Sequence, residues 1–227
     1  DTWAKNFVKR HNLQCVILHG QAGDVNAAAI ADGMAHLKNT MKNYEMECIY
    51  NVDETGLFFR LLPRKTYITA IEDRRSVRGT KGMASKDRIT AYLCANASGT
   101  QKVPLSIIGK SKNPCCFKFK PCPVKYFSQV NAWSDQTTFS SWFHDVFLPH
   151  IRSCTRKPVL LVMDNCSGHG NLIDPLGQVS VAELPPNCTS KHQPMDMGVI
   201  AAWKQRYRSR LLTKRTELLL FFPPFCR

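Results

Sequence analysis

No stretch of this chain reaches the roughly 18 consecutive apolar residues of a membrane-spanning helix. Its first residues also lack the apolar core of a secretion signal. The sequence therefore reads as a soluble intracellular protein with no membrane partner. Regular cysteine spacing is missing too: the ten cysteines are scattered, two of them adjacent at Cys115-Cys116. That pattern suits a reducing compartment better than a disulfide framework. Cys115, Cys116 and Cys122 lack a paired CxxC or a nearby His pair, so they read as packing or loop thiols before they read as zinc ligands. Acids are scarce, with 17 Asp and Glu against 31 Lys and Arg and a net charge of +14. Such an excess fits a solvated surface or a polyanionic partner, nucleic acid ahead of a membrane surface.

At 227 residues the chain can bury a real core. One stretch organises it. The run Pro158-Val-Leu-Leu-Val-Met reads as a buried strand, and it ends on Asp164, followed by the turn-like Asn165-Cys-Ser-Gly-His169-Gly. An acid delivered from a strand end to the rim of a sheet is either a helix cap or a ligand-binding group. Two further acids repeat the arrangement. Asp53 follows the half-apolar Glu47-Cys-Ile-Tyr-Asn-Val and precedes a glycine turn, and Asp196 follows the strand-like 179–184 and a Pro-Pro-Asn turn. Three acids at the ends of three such segments point to a pocket for a divalent metal.

Three segments then carry a resemblance. Asn51-Val-Asp53-Glu-Thr-Gly-Leu-Phe-Phe, the Val-Met-Asp164-Asn segment ending in Gly-His169, and Leu184-Pro-Pro-Asn-Cys-Thr-Ser-Lys-His-Gln193-Pro-Met-Asp196-Met-Gly-Val-Ile resemble the acidic motifs of pogo/Tigger-type transposases. This branch of the mariner superfamily includes transposon-derived CENP-B and jerky-like proteins. Ser85 to Gly99 and Val103 to Lys110 are similar to the same family between its first two acids. The likeness covers about residues 45 to 212, and the last motif is long enough that chance is a poor explanation.

The resemblance implies an α/β, ribonuclease-H-like mixed sheet flanked by helices. The strands carrying the first two acids would be neighbours, and a helix would bring in the third. The implied divisions are 1–13, a remnant of a CENP-B-type helix-turn-helix DNA-binding domain; 14–44, a linker and helix; 45–215, the endonuclease domain; and 216–227, an atypical apolar tail. On this reading the chain starts inside a DNA-binding module and its tail is truncated or frame-altered. An ordinary surface helix is the alternative for the first segment.

Along the chain, Trp3 and Phe7 suit a short amphipathic helix. Ala27, Ile30, Met34, Leu37 and Met41 predict a scaffold helix over about 24–44, capped by Asp24 or Asn26. Arg64, Lys65, Arg74, Arg75, Arg78, Lys81, Lys86 and Arg88 make a glycine-broken basic loop suited to phosphate contact, with solubility as the competing account. Residues 89–95 and 103–108 predict a hairpin with a glycine turn beside the Asp53 strand. Residues 110–125 read as a basic loop, and Tyr126, Phe127 and Trp133 would stack on bases or pack. Ser134-Asp135 predicts the cap of a helix over about 136–151 whose aromatic stripe is core. Asp196 is expected to open the last helix, with Val199, Ile200, Trp203, Tyr207 and Leu211 on one face and Lys204 and Arg208 on the basic side.

The implied chemistry is phosphodiester cleavage and strand transfer. Two Mg²⁺ or Mn²⁺ ions about 3.5–4 Å apart would be held by Asp53, Asp164 and Asp196, since such ions prefer hard oxygen ligands. Glu54 should point to the opposite face of its strand and is left out of the ligand set. His169 is expected to order the loop after Asp164. The expected partner is double-stranded DNA, as transposon ends and target, in the nucleus, and a homodimer is compatible with it. The alternative from another class is a domesticated nuclear DNA-binding protein without catalysis.

Overall fold

The computed structural model describes residues 2–12, 27–59, 87–186, 188 and 192–221. Its centre is a six-stranded mixed sheet in the order β4-β3-β2-β1-β5-β6. The strands are β1 (Ile49–Phe58), β2 (Arg88–Asn96), β3 (Ser106–Gly109), β4 (Lys125–Ser128), β5 (Val159–Met163) and β6 (Val179–Glu183). β1, β2 and β3 form an antiparallel meander. β5 pairs in parallel with both β1 and β6, and β4 in parallel with β3.

β5 is buried at every position, as an unbroken apolar run in the parallel part of a sheet should be. The predicted hairpin is present as β2 and β3, turned through Gly99 at φ 72°, where the left-handed conformation favours glycine. β4 begins at the last residue of the expected basic loop 110–125 and takes in Tyr126 and Phe127. Its Phe127 packs edge-on against Tyr92, with ring centroids 6.4 Å apart, and Tyr126 donates to the Ser111 carbonyl at 2.6 Å. Gly109 leaves room for the Tyr126 ring. Two aromatic anchors thus hold a segment that looks merely basic in sequence.

Both faces of the sheet are covered. One carries the helix pair α3 (Gln136–Trp142) and α4 (Leu148–Cys154), joined by a π-helical turn at Phe143–Phe147. Asp135 caps α3: its carboxylate accepts from the Thr138 N–H, and the Thr138 hydroxyl oxygen accepts from the Asp135 N–H, both at 2.9 Å. Pro149 has no N–H to give to the carbonyl four residues back, and the Leu148 N–H bonds Phe143 instead, which widens the turn. Phe139, Trp142, Phe143, Val146 and Phe147 are buried against Tyr50, Val52, Tyr92, Leu161 and Met163, as the aromatic stripe predicts. Truncating one of these large rings to alanine would cost about 3–5 kcal/mol.

The opposite face carries α2 (Ala27–Met41). Leu37 is buried with Ile49, Leu160, Val162, Leu184 and Cys188, while Ile30, Met34 and Met41 pack around them. The expected caps Asp24 and Asn26 lie outside the described residues. α1 (Thr2–Arg10) has the expected aromatic pair, with Trp3 and Phe7 centroids 5.3 Å apart and both rings exposed.

α5 (Ile200–Phe221) is the last helix and runs into the segment expected as an apolar tail, 216–227. Among the described residues no helix is long and apolar enough to cross a membrane. The described cysteines are free thiols, with Cys115 and Cys116 exposed in a short 3₁₀ turn.

Candidate active site

Strand register brings the first two acids together. β1 and β5 pair as Ile49 with Leu160 and Asn51 with Val162. Carried two residues further, the same register sets Asp53 beside Asp164, on strands about 4.8 Å apart. Alternation along β1 sends Ile49 to the α2 face and Tyr50 and Val52 to the α3 face, so Asp53 faces α2 and Glu54 faces α3.

The third acid arrives through a clasp of buried amides. The Asn51 side-chain amide donates to Gln193 Oε1 at 2.7 Å and to the Val162 carbonyl at 3.0 Å. Gln193 donates in turn to the Val52 carbonyl at 3.1 Å, and the Met195 N–H donates to Asn51 Oδ1 at 3.2 Å. Gln193 is completely buried. These bonds fix the backbone on either side of Pro194 against the centre of the sheet, and Asp196 follows one residue later.

Asp196 was expected on the first turn of the last helix. It lies instead in a kinked π-helical turn, Met195–Val199, before α5 begins. Gly198 at φ 105° and Met197 at ψ 42° break the helical path there; glycine permits that turn. The kink also takes Val199 off the apolar face of α5: it is exposed, while Ile200 is buried.

The charge of Asp196 reaches both Asp53 and Asp164. Burial raises the Asp53 pKa to about 8, helped by the negative charges of Asp196, Glu54 and Asp164, against an opposing bond from the Glu54 N–H. Asp164 is raised by burial, an effect that His169 partly offsets. Lys204 on α5 joins the cluster: burial and Arg208 lower its pKa, while Asp196 and Asp53 pull the other way. Arg208 sits one helical turn further on, exposed.

A tighter group lies next to the trio. Among the described residues, Glu54, Asp164 and His169 are the one set of three or more acidic, His or Cys side chains whose ligand atoms all lie within 4.8 Å of one another. His169 is buried and stacks on Phe139 with centroids 4.1 Å apart. Its Nδ1 lies 3.1 Å from the Asp164 carbonyl and its Nε2 lies 3.0 Å from Glu54 Oε1. Both ring nitrogens face acceptors, so the doubly protonated ring satisfies both. Burial lowers the His169 pKa, but the bond and charge of Glu54, then Asp164, outweigh it and the net shift is upward. Ser134 donates to Glu54 at 2.9 Å and pairs with the Tyr92 hydroxyl at 2.8 Å.

Glu54 therefore faces away from Asp53 as alternation requires, yet it belongs to the site. Asp164 sits just beyond the end of β5, where the chain turns back through the His169 N–H bond to the Cys166 carbonyl. A residue past a strand end is not confined to one face of the sheet. The sequence signal that pointed to this was the spacing of His169 after Asp164, five residues on in a glycine-rich turn.

The donor set fits a hard divalent cation. Asp53, Asp164 and Asp196 offer only carboxylate oxygens. Asp164 Oδ1 is buried without a hydrogen-bond partner, and His169 Nδ1 lies 3.4 Å from it. Asp53 is buried, Asp164 is half-buried and Asp196 is exposed, and carboxylates that repel one another in this way are what a cation relieves. His169 and Glu54, bonded directly to each other, act as a clasp on Asp164. Of the predicted phosphate-contacting residues, Arg88 opens β2, and Lys204 and Arg208 lie on α5. Arg64, Lys65, Arg74, Arg75, Arg78, Lys81 and Lys86 lie outside the described residues.

Comparison with known proteins finds relatives of this chain. A family model described as DDE superfamily endonuclease matches residues 86–219. The Jerky protein homolog of Homo sapiens is 31% identical over 208 residues, which is 87% of this chain and 36% of that protein. Tigger transposable element-derived protein 4 of Mus musculus is 30% identical over 93% of this chain and 40% of its own length. CENP-B homolog protein 2 of Schizosaccharomyces pombe is 26% identical over 95% of this chain and 42% of its own length. The chain thus spans about two fifths of the curated relatives it matches. Among solved structures, the Mos1 transposase paired-end complex with left transposon end superimposes with a TM-score of 0.54 at 12% identity, covering 90% of this chain and 56% of that one. At that identity the likeness concerns the fold, the ribonuclease-H-like mixed sheet that the sequence motifs imply.

Proposed function

This chain belongs to the DDE superfamily of endonucleases, and from that premise we propose that it is the catalytic core of a transposase that cleaves and joins DNA strands. The observation that supports the reading is that Asp53 lies within electrostatic reach of both Asp164 and Asp196, which are distant from it in sequence. These residues would hold Mg²⁺ or Mn²⁺, as one or two ions. Bound there, the metal would stabilise charge on the phosphoryl oxygens and lower the pKa of an attacking water. Solved relatives of the fold include a Mos1 mariner paired end complex with Mn.

The chain's own residues supply the positioning. Asn51 and Gln193 hold the Asp196 turn against β1 and β5, and Glu54 and His169 hold Asp164 from the other face. Lys204, beside Asp53 and Asp196, offers a positive charge to a phosphate lying across the acids. Arg88 and Arg208 extend that charge outward along the duplex, and the basic sequence before β2 would add to it. Water would attack in nicking and a freed 3′-hydroxyl in strand transfer, neither needing a covalent protein intermediate. Transposon ends and target DNA, met in the nucleus, are the substrates this reading implies.

A second reading is a domesticated nuclear DNA-binding protein without catalysis. It draws support from relatives named as transposable element-derived and from the tightest acidic group being Glu54, Asp164 and His169 and not the three aspartates. Plasmid nicking by the purified chain in Mn²⁺ or Mg²⁺ separates the two. The enzyme reading expects nicking that is lost in Asp53→Ala, Asp164→Ala and Asp196→Ala; equal background in all four leaves only the DNA-binding reading.

A further inference from the structure

We propose that Cys154, His150 and Gln101 form a surface site for a zinc ion, apart from the acidic cleft and built from softer ligands. Cys154 precedes β5 and Asp164 follows it, so the two sites lie at opposite ends of that strand. The ion would pin the end of α4 to the turn after β2, a role independent of the nuclease reading.

His150 and Cys154 stand one helical turn apart on α4 and share a face of the helix. His150 Nε2 lies 3.6 Å from Cys154 Sγ, and Gln101 Oε1 lies 3.8 Å from the same sulfur. Zinc bonds sulfur at about 2.3 Å and nitrogen or oxygen at about 2.0–2.2 Å, so a tetrahedral ion holds such a pair of ligand atoms about 3.6 Å apart. Both spacings around the sulfur are therefore close to those of a filled coordination shell. The amide oxygen of Gln101 supplies the third ligand, and a water would complete the tetrahedron.

Both sides of the site are anchored. Ile151 is fully buried, and the Thr155 N–H closes the last turn of α4 on the Ile151 carbonyl at 2.9 Å. Asn96 holds Gln101: the Gln101 N–H donates to Asn96 Oδ1 at 2.9 Å, and the Asn96 N–H donates to the Gln101 carbonyl at 3.0 Å. Asn96 is itself buried and donates to the Glu47 carbonyl at 3.1 Å. Cys154 and Gln101 are exposed and His150 is half-buried, so an ion reaches them without unfolding the chain. Burial lowers the His150 pKa, which leaves the neutral ring a lone pair to give at neutral pH. A thiol and an imidazole select zinc over magnesium, the reverse of what the carboxylate cleft prefers. On binding, the metal replaces the thiol proton, which passes to solvent.

Cobalt, which accepts zinc's tetrahedral geometry and absorbs light, is the probe. Titrating the metal-free chain with Co²⁺ should raise a near-ultraviolet sulfur-to-cobalt charge-transfer band together with the visible bands of a four-coordinate ion, and added Zn²⁺ should remove both. The charge-transfer band separates this site from the cleft, whose aspartates offer no sulfur. Cys154→Ser should abolish it. Losing a group that merely orients a ligand costs about 10- to 100-fold in metal affinity, so losing a ligand in His150→Ala should weaken binding at least about tenfold. Gln101→Glu, which turns the amide into a carboxylate, should tighten it. No charge-transfer band in the wild type, or a band that survives Cys154→Ser as one from Cys115 or Cys116 would, overturns the site. Alkylation of the wild-type chain by iodoacetamide, mapped by peptide mass, tests it without any substitution. Zn²⁺ should protect Cys154 while Cys115 and Cys116 still react; equal labelling of Cys154 with and without Zn²⁺ reduces the three side chains to a hydrogen-bonded group and overturns the proposal.

Discussion

Asn51 and Gln193 are 142 residues apart in sequence and share a buried hydrogen bond of 2.7 Å. Through that bond the first acidic segment grips the third. Replacing Gln193 with alanine should leave the Asn51 amide short of an acceptor in a dry site and destabilise the chain by about 1–3 kcal/mol. Asn51→Ala should cost a similar amount, and the double variant less than the sum, since both remove one clasp. Urea unfolding of the four chains measures this. Additive losses would mean that the two amides do not act together.

Asp53 makes stability depend on pH in an unusual direction. Its pKa is raised from 3.8 to about 8 in the folded chain, so between those values the folded state binds more protons than the unfolded state. Stability from this group is fully present below the unfolded pKa and is lost as pH rises through the folded one. The metal-free chain should melt at lower temperature at pH 8.5 than at pH 6, and Asp53→Asn should flatten that difference. Stabilisation by added Mn²⁺ should grow over the same pH range, because binding requires the deprotonated carboxylate.

His169 and Glu54 act on Asp164 from the core side. If they orient it, His169→Ala should raise the Mn²⁺ concentration needed for half-maximal nicking about 10- to 100-fold. Glu54→Gln, which keeps the shape and an acceptor, should do less. A Mn²⁺ titration of nicking in each variant gives the comparison, and an unchanged midpoint in His169→Ala would restrict the ring to packing on Phe139.

Lys204 should contact phosphate, not bases. Lys204→Ala is expected to weaken binding of unrelated duplexes alike and to reduce the slope of log affinity against log salt by about 0.9. Sequence-dependent losses would contradict the assignment.

Asp174 anchors the turn before β6 and tests the fold apart from the site. Its buried carboxylate accepts from the N–H groups of Leu176, Gln178 and Val179 at 2.9–3.0 Å and from Arg152 at 2.6 Å. Burial alone would raise its pKa, but those bonds and the Arg152 charge leave it lowered. Its contribution is present above the unfolded pKa and lost as pH falls through the folded one. Asp174→Asn should be destabilised at pH 7 and converge with the wild type in acid, as thermal melts across pH would show.

Much of the architecture was readable in local chemistry. The apolar run before Asp164, the aromatic stripe behind Asp135 and the glycine turn at Gly99 each encode an element within a few residues, because burial, capping and positive φ are local demands. The short strand β4 was not legible. Tyr126 and Phe127 become strand residues only because Tyr92 and Gly109, distant in sequence, receive their rings.

What the sequence by itself determined is the set of segments and the presence of an acid at or near the end of three of them, since periodicity and turn residues act over one or two turns of chain. Only the tertiary structure decided that Glu54 and His169 belong beside Asp164 and that Asp196 precedes its helix on a kink. It also revealed that Lys204 shares the field of the acids. Those facts depend on strand register, on the curl of a loop past a strand end and on buried amide bonds across the sheet. All of these are long-range contacts, formed when the chain packs.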